Sequence, residues 1–390
     1  MKRFIFLSTS LPLFFTLCLT LVNVIHSDEP LPWWTKSIEK KLVESKSNRK
    51  ELEKALNNIP KEQRAGMVFL LENMPISDLE NISAKFLITN HLLAYKAKQE
   101  VPWGDQIPDE LFFNNVLAYA NLDEKRDPWR QEFYDLCMPL IKSCKTPSEV
   151  AGKLNAELFK TLKLKYAPQR RPPNLSPSES ILQGNASCTG LSIVLSDACR
   201  SVCVPARLAG TPNWFDKRGN HTWVEIWDKD WHFTGACEPD PKGLDRGWFV
   251  GDAAKAQKDS PEHAIYAASF RKTEIHFPLV WNRESKRVFG ENVTDRYAKP
   301  DQKKSDTFQL NIKILDSLKK RIAVQVEVAD SSDMKLKFNG VSRSESADLN
   351  DFLSFQLKPL HQYKIKWGTI EKQITTGNSG TQQLLEFFSN

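Results

Sequence analysis

Side chains able to cleave an amide lie within one stretch, Gln183 to Pro241: a thiol at Cys188, an imidazole at His221, and the carboxylates Glu238 and Asp240. Cysteine can attack a carbonyl, histidine can carry the proton, and a carboxylate can fix the histidine's orientation. Spacing decides whether they can meet. After Cys188, the residues Leu191, Val194, Leu195, Ala198 and Val202 fall at helical intervals. That pattern predicts a buried helix starting at or just before the thiol, with Asn185 or Ser187 as its cap. At a helix start, unpaired N–H groups and the positive end of the macrodipole favour a thiolate, and the same groups can receive an oxyanion. Gln183, a few residues upstream, is the candidate side-chain donor to that oxyanion.

The elements that must position this set follow in order. CVPARLAG reads as a buried strand entered through Pro205, and TPNWFDKRGN as a turn-rich loop. HTWVEIW alternates His221, Trp223, Glu225 and Trp227 on one face with Thr222, Val224 and Ile226 on the other, a strand pattern. Asp228 to Asp230 make a short turn, and Trp231 to Cys237 return as the hairpin partner. An imidazole opening this strand can face the helix start that carries the thiol.

A cysteine at a helix start, a VPAR-type strand, HTWVEIW and a tryptophan-containing return strand ending near acids together resemble the transglutaminase-like superfamily. That family has a papain-like fold, shared with bacterial transglutaminase-like proteins and peptide:N-glycanases. The resemblance covers roughly Pro177 to Ala256 and implies Cys188 as nucleophile and His221 as general base. It also places an orienting aspartate four residues after the return-strand tryptophan. Here that position is Gly235, so the acid is expected elsewhere, at Glu238 first and Asp240 second. If Trp227 pairs with Trp231, Gly235 shares the His221 face and Glu238 points away, so a bulge or the strand end before Pro239 must turn it back.

Around this centre the chain divides by pattern. Lys2 and Arg3 precede an apolar run from Phe4 to Ile25, which predicts a signal peptide cleaved near Ser27 and an exported protein. Six helical segments, 34–56, 61–72, 78–98, 109–121, 128–144 and 147–162, carry apolar residues at three-and-four spacing. Thr146 and Glu149 have capping-box spacing at the start of the last. The proline-rich stretch 166–180 is expected to be extended and to fix the approach to the thiol. Residues 244–256 and 261–270 read as loop and short helices, and 274–281 as a strand completing the sheet. Regular alternation from Phe308 to Trp367 predicts an immunoglobulin-like β-sandwich, read as an accessory module without catalytic groups.

The expected fold is therefore α+β: a papain-like, transglutaminase-like core behind a helical domain and before a β-sandwich. The boundaries are 1–27 for the signal peptide, 28–145 for the helical domain, 146–283 for the catalytic domain, 284–304 for a linker, 305–377 for the sandwich and 378–390 for a tail. The expected function is cysteine-dependent acyl transfer on protein or peptide amides, of a bacterial exported type. The alternatives are a catalytically degenerate binding or scaffold protein, and a peptide:N-glycanase-like amidase suggested by the Cys237-Glu238 pair.

Composition limits the other classes. A net charge of +6 comes from basic residues interleaved with acids, which reads as solvated helix faces and not a nucleic-acid stripe. No other stretch is apolar enough to span a bilayer, so no membrane partner is expected beyond the signal segment. Of the seven cysteines, Cys18 leaves with the signal and Cys188 must stay free, which leaves no full disulfide framework. No motif points to a metal or cofactor. Trp214, Trp223, Trp227, Trp231 and Trp248 crowd the hairpin region, as core packing or as the walls of a substrate groove.

Overall fold

The computed structural model describes residues 32–167, 171–298, 306–333 and 335–389. The expected signal peptide lies outside them, and among the described residues no helix is long and apolar enough to cross a membrane. The chain divides at Thr35, and the unit Lys36–Asn390 carries the fold and the site.

Helices open this unit. The segment expected as one helix over 34–56 is two, Lys36–Glu44 and Arg49–Asn57, because the polar run Ser45–Asn48 turns the chain. Asn48 fixes that turn by donating to the carbonyls of Leu79 and Ile82, each at 2.9 Å. The helix expected from residue 78 starts later, at Ala84, where Ser83 caps the N–H of Phe86. Helices α1 (Trp129–Leu140) and α2 (Pro147–Thr161) then pack on the helix that bears the thiol.

That helix follows a short one. The stretch expected to be extended contains α3 (Pro177–Gln183), started by a capping box between Ser176 and Glu179 and stopped by left-handed Gly184. Lys165–Tyr166 pairs in parallel with Asn185–Ala186, and the chain enters α4 (Cys188–Ser201) capped by Ser187. Every residue of α4 is buried, with helices on one side and a sheet on the other. Its polar residues therefore need internal partners. Asn121 serves both Asp197 and Ser196, while Arg200 donates to the carbonyls of Ala120 and Ala206.

The core sheet is antiparallel. Its strands are β1 (Ala206–Thr211), β2 (His221–Asp228), β3 (Asp230–Thr234), β4 (Tyr266–Ser269), β5 (Ile275–His276) and β6 (Phe289–Asn292), in the spatial order β3-β2-β1-β4-β6-β5. Trp227 pairs with Trp231, and Thr211 lies opposite His221. Three sequence readings need correction here. The region 261–270 supplies strand β4 in place of a helix, and only Ile275–His276 of 274–281 is strand. The expected linker 284–304 contributes β6 and the buried Tyr297, whose hydroxyl donates to Glu225 at 2.8 Å.

The sandwich joins strands β7 (Phe308–Leu315), β8 (Gln325–Asp330), β9 (Lys337–Val341), β10 (Leu353–Leu357), β11 (Gln362–Trp367), β12 (Ile370–Thr375) and β13 (Gln382–Phe388) into two sheets. Leu310, Ile312, Phe355 and Phe387 from one sheet meet Val326, Val328, Ile365 and Trp367 from the other in a common core. The expected tail is mostly strand: β13 pairs in parallel with β7. The order of helices, mixed core and β-sandwich is the expected α+β class.

Candidate active site

Cys188 is the first residue of α4, and His221 is the first residue of β2. Two bonds join these elements beside the pair. Thr189 donates to the Thr222 hydroxyl at 3.1 Å, and Ser192 donates to the Thr222 carbonyl at 3.3 Å. The third member comes from the sandwich. Asp348, on the loop between β9 and β10, places Oδ2 3.5 Å from His221 Nδ1. One ligand atom from each of Cys188, His221 and Asp348 falls within a common span of 4.8 Å. All three are buried, at 8%, 2% and 2% exposure.

The Nδ1–Oδ2 distance is that of an ion pair and exceeds a well-formed hydrogen bond, and neither ring nitrogen of His221 has a partner at hydrogen-bond geometry. Charge is what couples the two groups. Burial works against a charged ring, but the adjacent Asp348 carboxylate and the Cys188 sulfur outweigh it and raise the His221 pKa to about 10. At this range, two unit charges attract by roughly 4 kcal/mol at an effective dielectric near 20, which is large enough to reverse the effect of burial.

The sandwich loop is fastened where Asp348 must sit. Asp348 Oδ1 accepts from the N–H of Asn350, which fixes the carboxylate on its own turn. Arg321 donates to the carbonyls of Asp348 and Asp351, both at 2.8 Å. Core residues hold the loop from the other side. The Leu349 N–H reaches the Tyr166 hydroxyl, Asn350 donates to the Asn220 carbonyl beside His221, and Arg218 donates to the Asn350 carbonyl.

Glu238 is not the group that faces Nδ1. Left-handed Cys237 turns the chain, and the Glu238 N–H reaches back to the Gly235 carbonyl at 3.3 Å. Asn155 secures this turn, donating to the Gly235 carbonyl and accepting from the Cys237 N–H, both at 2.8 Å. The Glu238 side chain folds over Gly235, where Oε2 accepts from Trp248 Nε1 at 3.0 Å. Burial pushes its pKa up to about 7, against the pull of nearby His221 and with the repulsion of Asp348. Asp240 pairs instead with Arg246 at 3.1 Å. Gln183 is exposed, and its amide donates to Asn185 Oδ1 at 2.8 Å, so that donor is engaged away from the thiol.

Tryptophans lie both in the core and at a cleft. Trp214 and Trp223 are buried and lie parallel at 6.3 Å, as core. Trp248 is half-buried with its ring centroid 4.6 Å from that of His221. It also lines a cleft of about 680 Å³ with Glu238, Tyr166 and the sandwich residues Ser346, Ala347 and Asp351. The cleft therefore opens at the junction of core and sandwich, next to the triad.

Residues 134–253 match the model of the transglutaminase-like superfamily. The core of this chain is transglutaminase-like. The match spans Cys188 and His221 but ends before Asp348, so the acid lies outside the matched region. No curated protein matches the chain.

Among solved structures, a red sea bream transglutaminase aligns at 12% identity over 71% of this chain and 66% of its own, with a TM-score of 0.31. A proposed cysteine protease from Cytophaga hutchinsonii aligns at 17% identity over 42% and 58%, with a TM-score of 0.24. The major pilin subunit of Bacillus cereus aligns at 13% identity over 35% and 40%, with a TM-score of 0.18. The chain spans less than two thirds of the length of each.

Asp348 was missed because nothing in the local sequence marks it. Spacing rules work within an element or a hairpin, whereas this carboxylate reaches the imidazole by the docking of a separate sandwich. The missing acid at Gly235 was the one available sign that an acid must arrive from elsewhere.

Proposed function

We propose that the protein is an exported cysteine-dependent enzyme that transfers acyl groups from protein or peptide amides. The supporting observation is the approach of Cys188, His221 and Asp348 to within 4.8 Å on three different elements. The Cys188 thiol passes its proton to His221 as its sulfur bonds to the amide carbonyl carbon, and the π electrons move onto the oxygen. In the first turn of α4 the Gly190 N–H is taken by the Ser187 hydroxyl, so the N–H groups of Cys188 and Thr189 are the candidate donors to this oxyanion. As the tetrahedral adduct collapses, the carbon–nitrogen bond breaks and His221 gives its proton to the departing amine. A thioester remains. Water or a second amine then attacks, His221 takes the incoming proton, and it returns that proton to the sulfur as the carbon–sulfur bond breaks, which restores the thiol. Asp348 holds the ring through Nδ1 and stabilises its positive form.

Iodoacetamide labelling of the native protein, followed by mapping of the labelled cysteine, tests this reading. Cys188 should label fastest, and His221→Ala should slow it. Uniform slow labelling would instead support a catalytically silent binding protein, a reading favoured by the near-complete burial of all three groups. The Cys237-Glu238 pair, the feature behind the peptide:N-glycanase alternative, forms the turn over Gly235.

A further inference from the structure

Two carboxylates, not one, are folded towards His221, and only Asp348 has a role in the reaction above. Glu238 occupies a defined place. A Cβ built on Gly235 would stand 2.2 Å from Glu238 Oε2, so the carboxylate fills the volume a side chain at position 235 would claim. The same oxygen accepts from Trp248 Nε1, and the Trp248 ring lies against the His221 ring at 54° between planes. Phe249 packs on another side of the imidazole, with centroids 5.1 Å apart. The ring is thus bounded by aromatics, one of which is anchored by Glu238.

We infer that Glu238 is a positioning residue that holds Trp248 against the imidazole and so sets the ring orientation jointly with Asp348. This rests on the reading of Cys188 and His221 as the reacting pair. An imidazole tied by a long ion pair at Nδ1 keeps freedom to tilt, and a flanking ring held by its own hydrogen bond removes that freedom. Glu238 also adds a charge that changes with pH. The groups facing it are His221 on β2, Asp348 and Asp351 on the sandwich loop, Cys237 on its own turn and the Trp248 indole. Its own titration centres on about 7, because burial opposes the carboxylate. Imidazolium formation at His221 should therefore be easier above that point than below it.

The test is the rate of Cys188 alkylation by iodoacetamide, from pH 5 to 9, in full-length variants. Glu238→Ala should slow it about 3–10-fold, and Trp248→Phe by a similar factor. The double variant should be no slower than either single one, because both remove the same support. Glu238→Gln keeps an oxygen for the indole and should recover most of the rate, yet lose the inflection near pH 7 of the wild type. Asp105→Asn, at a site remote from the thiol, serves as the neutral control. Two results would overturn the inference: Glu238→Ala with wild-type rate and pH profile, or losses that multiply in the double variant. Failure of the wild type itself to label at Cys188 would sink the underlying assignment of the thiol instead, so the two failures are distinguishable.

Discussion

His221 Nδ1 and Asp348 Oδ2 stand 3.5 Å apart, although one residue opens a core strand and the other lies on a turn of the β-sandwich. The sandwich, expected to carry no catalytic groups, therefore contributes a residue to the candidate site. Asp348→Asn should preserve shape while removing the charge that keeps the imidazole protonated. Turnover on any amide processed by the wild type should fall about 10²–10⁴-fold, and at neutral pH the melting temperature should fall as well, because the charge that raises the His221 pKa is gone. A kinetic assay paired with a thermal melt checks both parts.

The raised pKa of His221 predicts a pH-dependent stability. A histidine protonated up to about pH 10 when folded and about 6.5 when unfolded contributes stability that is fully present below pH 6.5. That contribution is lost as pH rises through 10. The melting temperature of the wild type should exceed that of His221→Gln at pH 6, and the gap should narrow by pH 10. Melts at four or five pH values would show whether it does.

Glu238 acts in the same direction, in a lower pH window. Its carboxyl is pushed up to about 7 when folded, so the folded state binds more protons than the unfolded one between about pH 4.5 and 7. Stability should fall as pH rises through this window. Glu238→Gln should then melt about 2–4 °C above the wild type at pH 8 and level with it at pH 4. A variant that tracks the wild type at both values would contradict the burial of that charge.

Cysteine chemistry should be selective. Six cysteines are free among the described residues. Burial pushes Cys137 and Cys203 up to about 12 and Cys237 up to about 11, and it raises Cys144 and Cys199 as well. At pH 7.5, sub-stoichiometric iodoacetamide should leave at least ten times more label on Cys188 than on any other cysteine, as peptide mapping would show.

Restoring the missing acid should fail unless room is made for it. A side chain at Gly235 meets Glu238 Oε2 at 2.2 Å, so Gly235→Asp alone should destabilise the protein by about 1–3 kcal/mol. Combined with Glu238→Ala the cost should largely vanish. Chemical denaturation of the single and double variants measures the difference.

Much of this was legible in the sequence, for identifiable reasons. Cys188 and His221 were found because a helix period and a strand alternation each begin on a reactive residue, and the Trp227–Trp231 register followed from the short turn between them. The return of Glu238 towards Gly235 depended on a left-handed residue at Cys237, a conformation that cysteine does not announce. The breaks around Ser45 and Ser83 came from caps and tertiary hydrogen bonds hidden within a continuous apolar period. β6, an inner strand of four residues, and β13, an edge strand, were missed because short or irregularly patterned strands can still pair.

The parallel pairing of Gln382–Phe388 with Phe308–Leu315 has a consequence for synthesis. A growing chain acquires its thiol and imidazole long before the strands that frame the Asp348 loop can all pair. The thiol and imidazole are thus made early, and the carboxylate that faces the imidazole is placed only once the sandwich has formed.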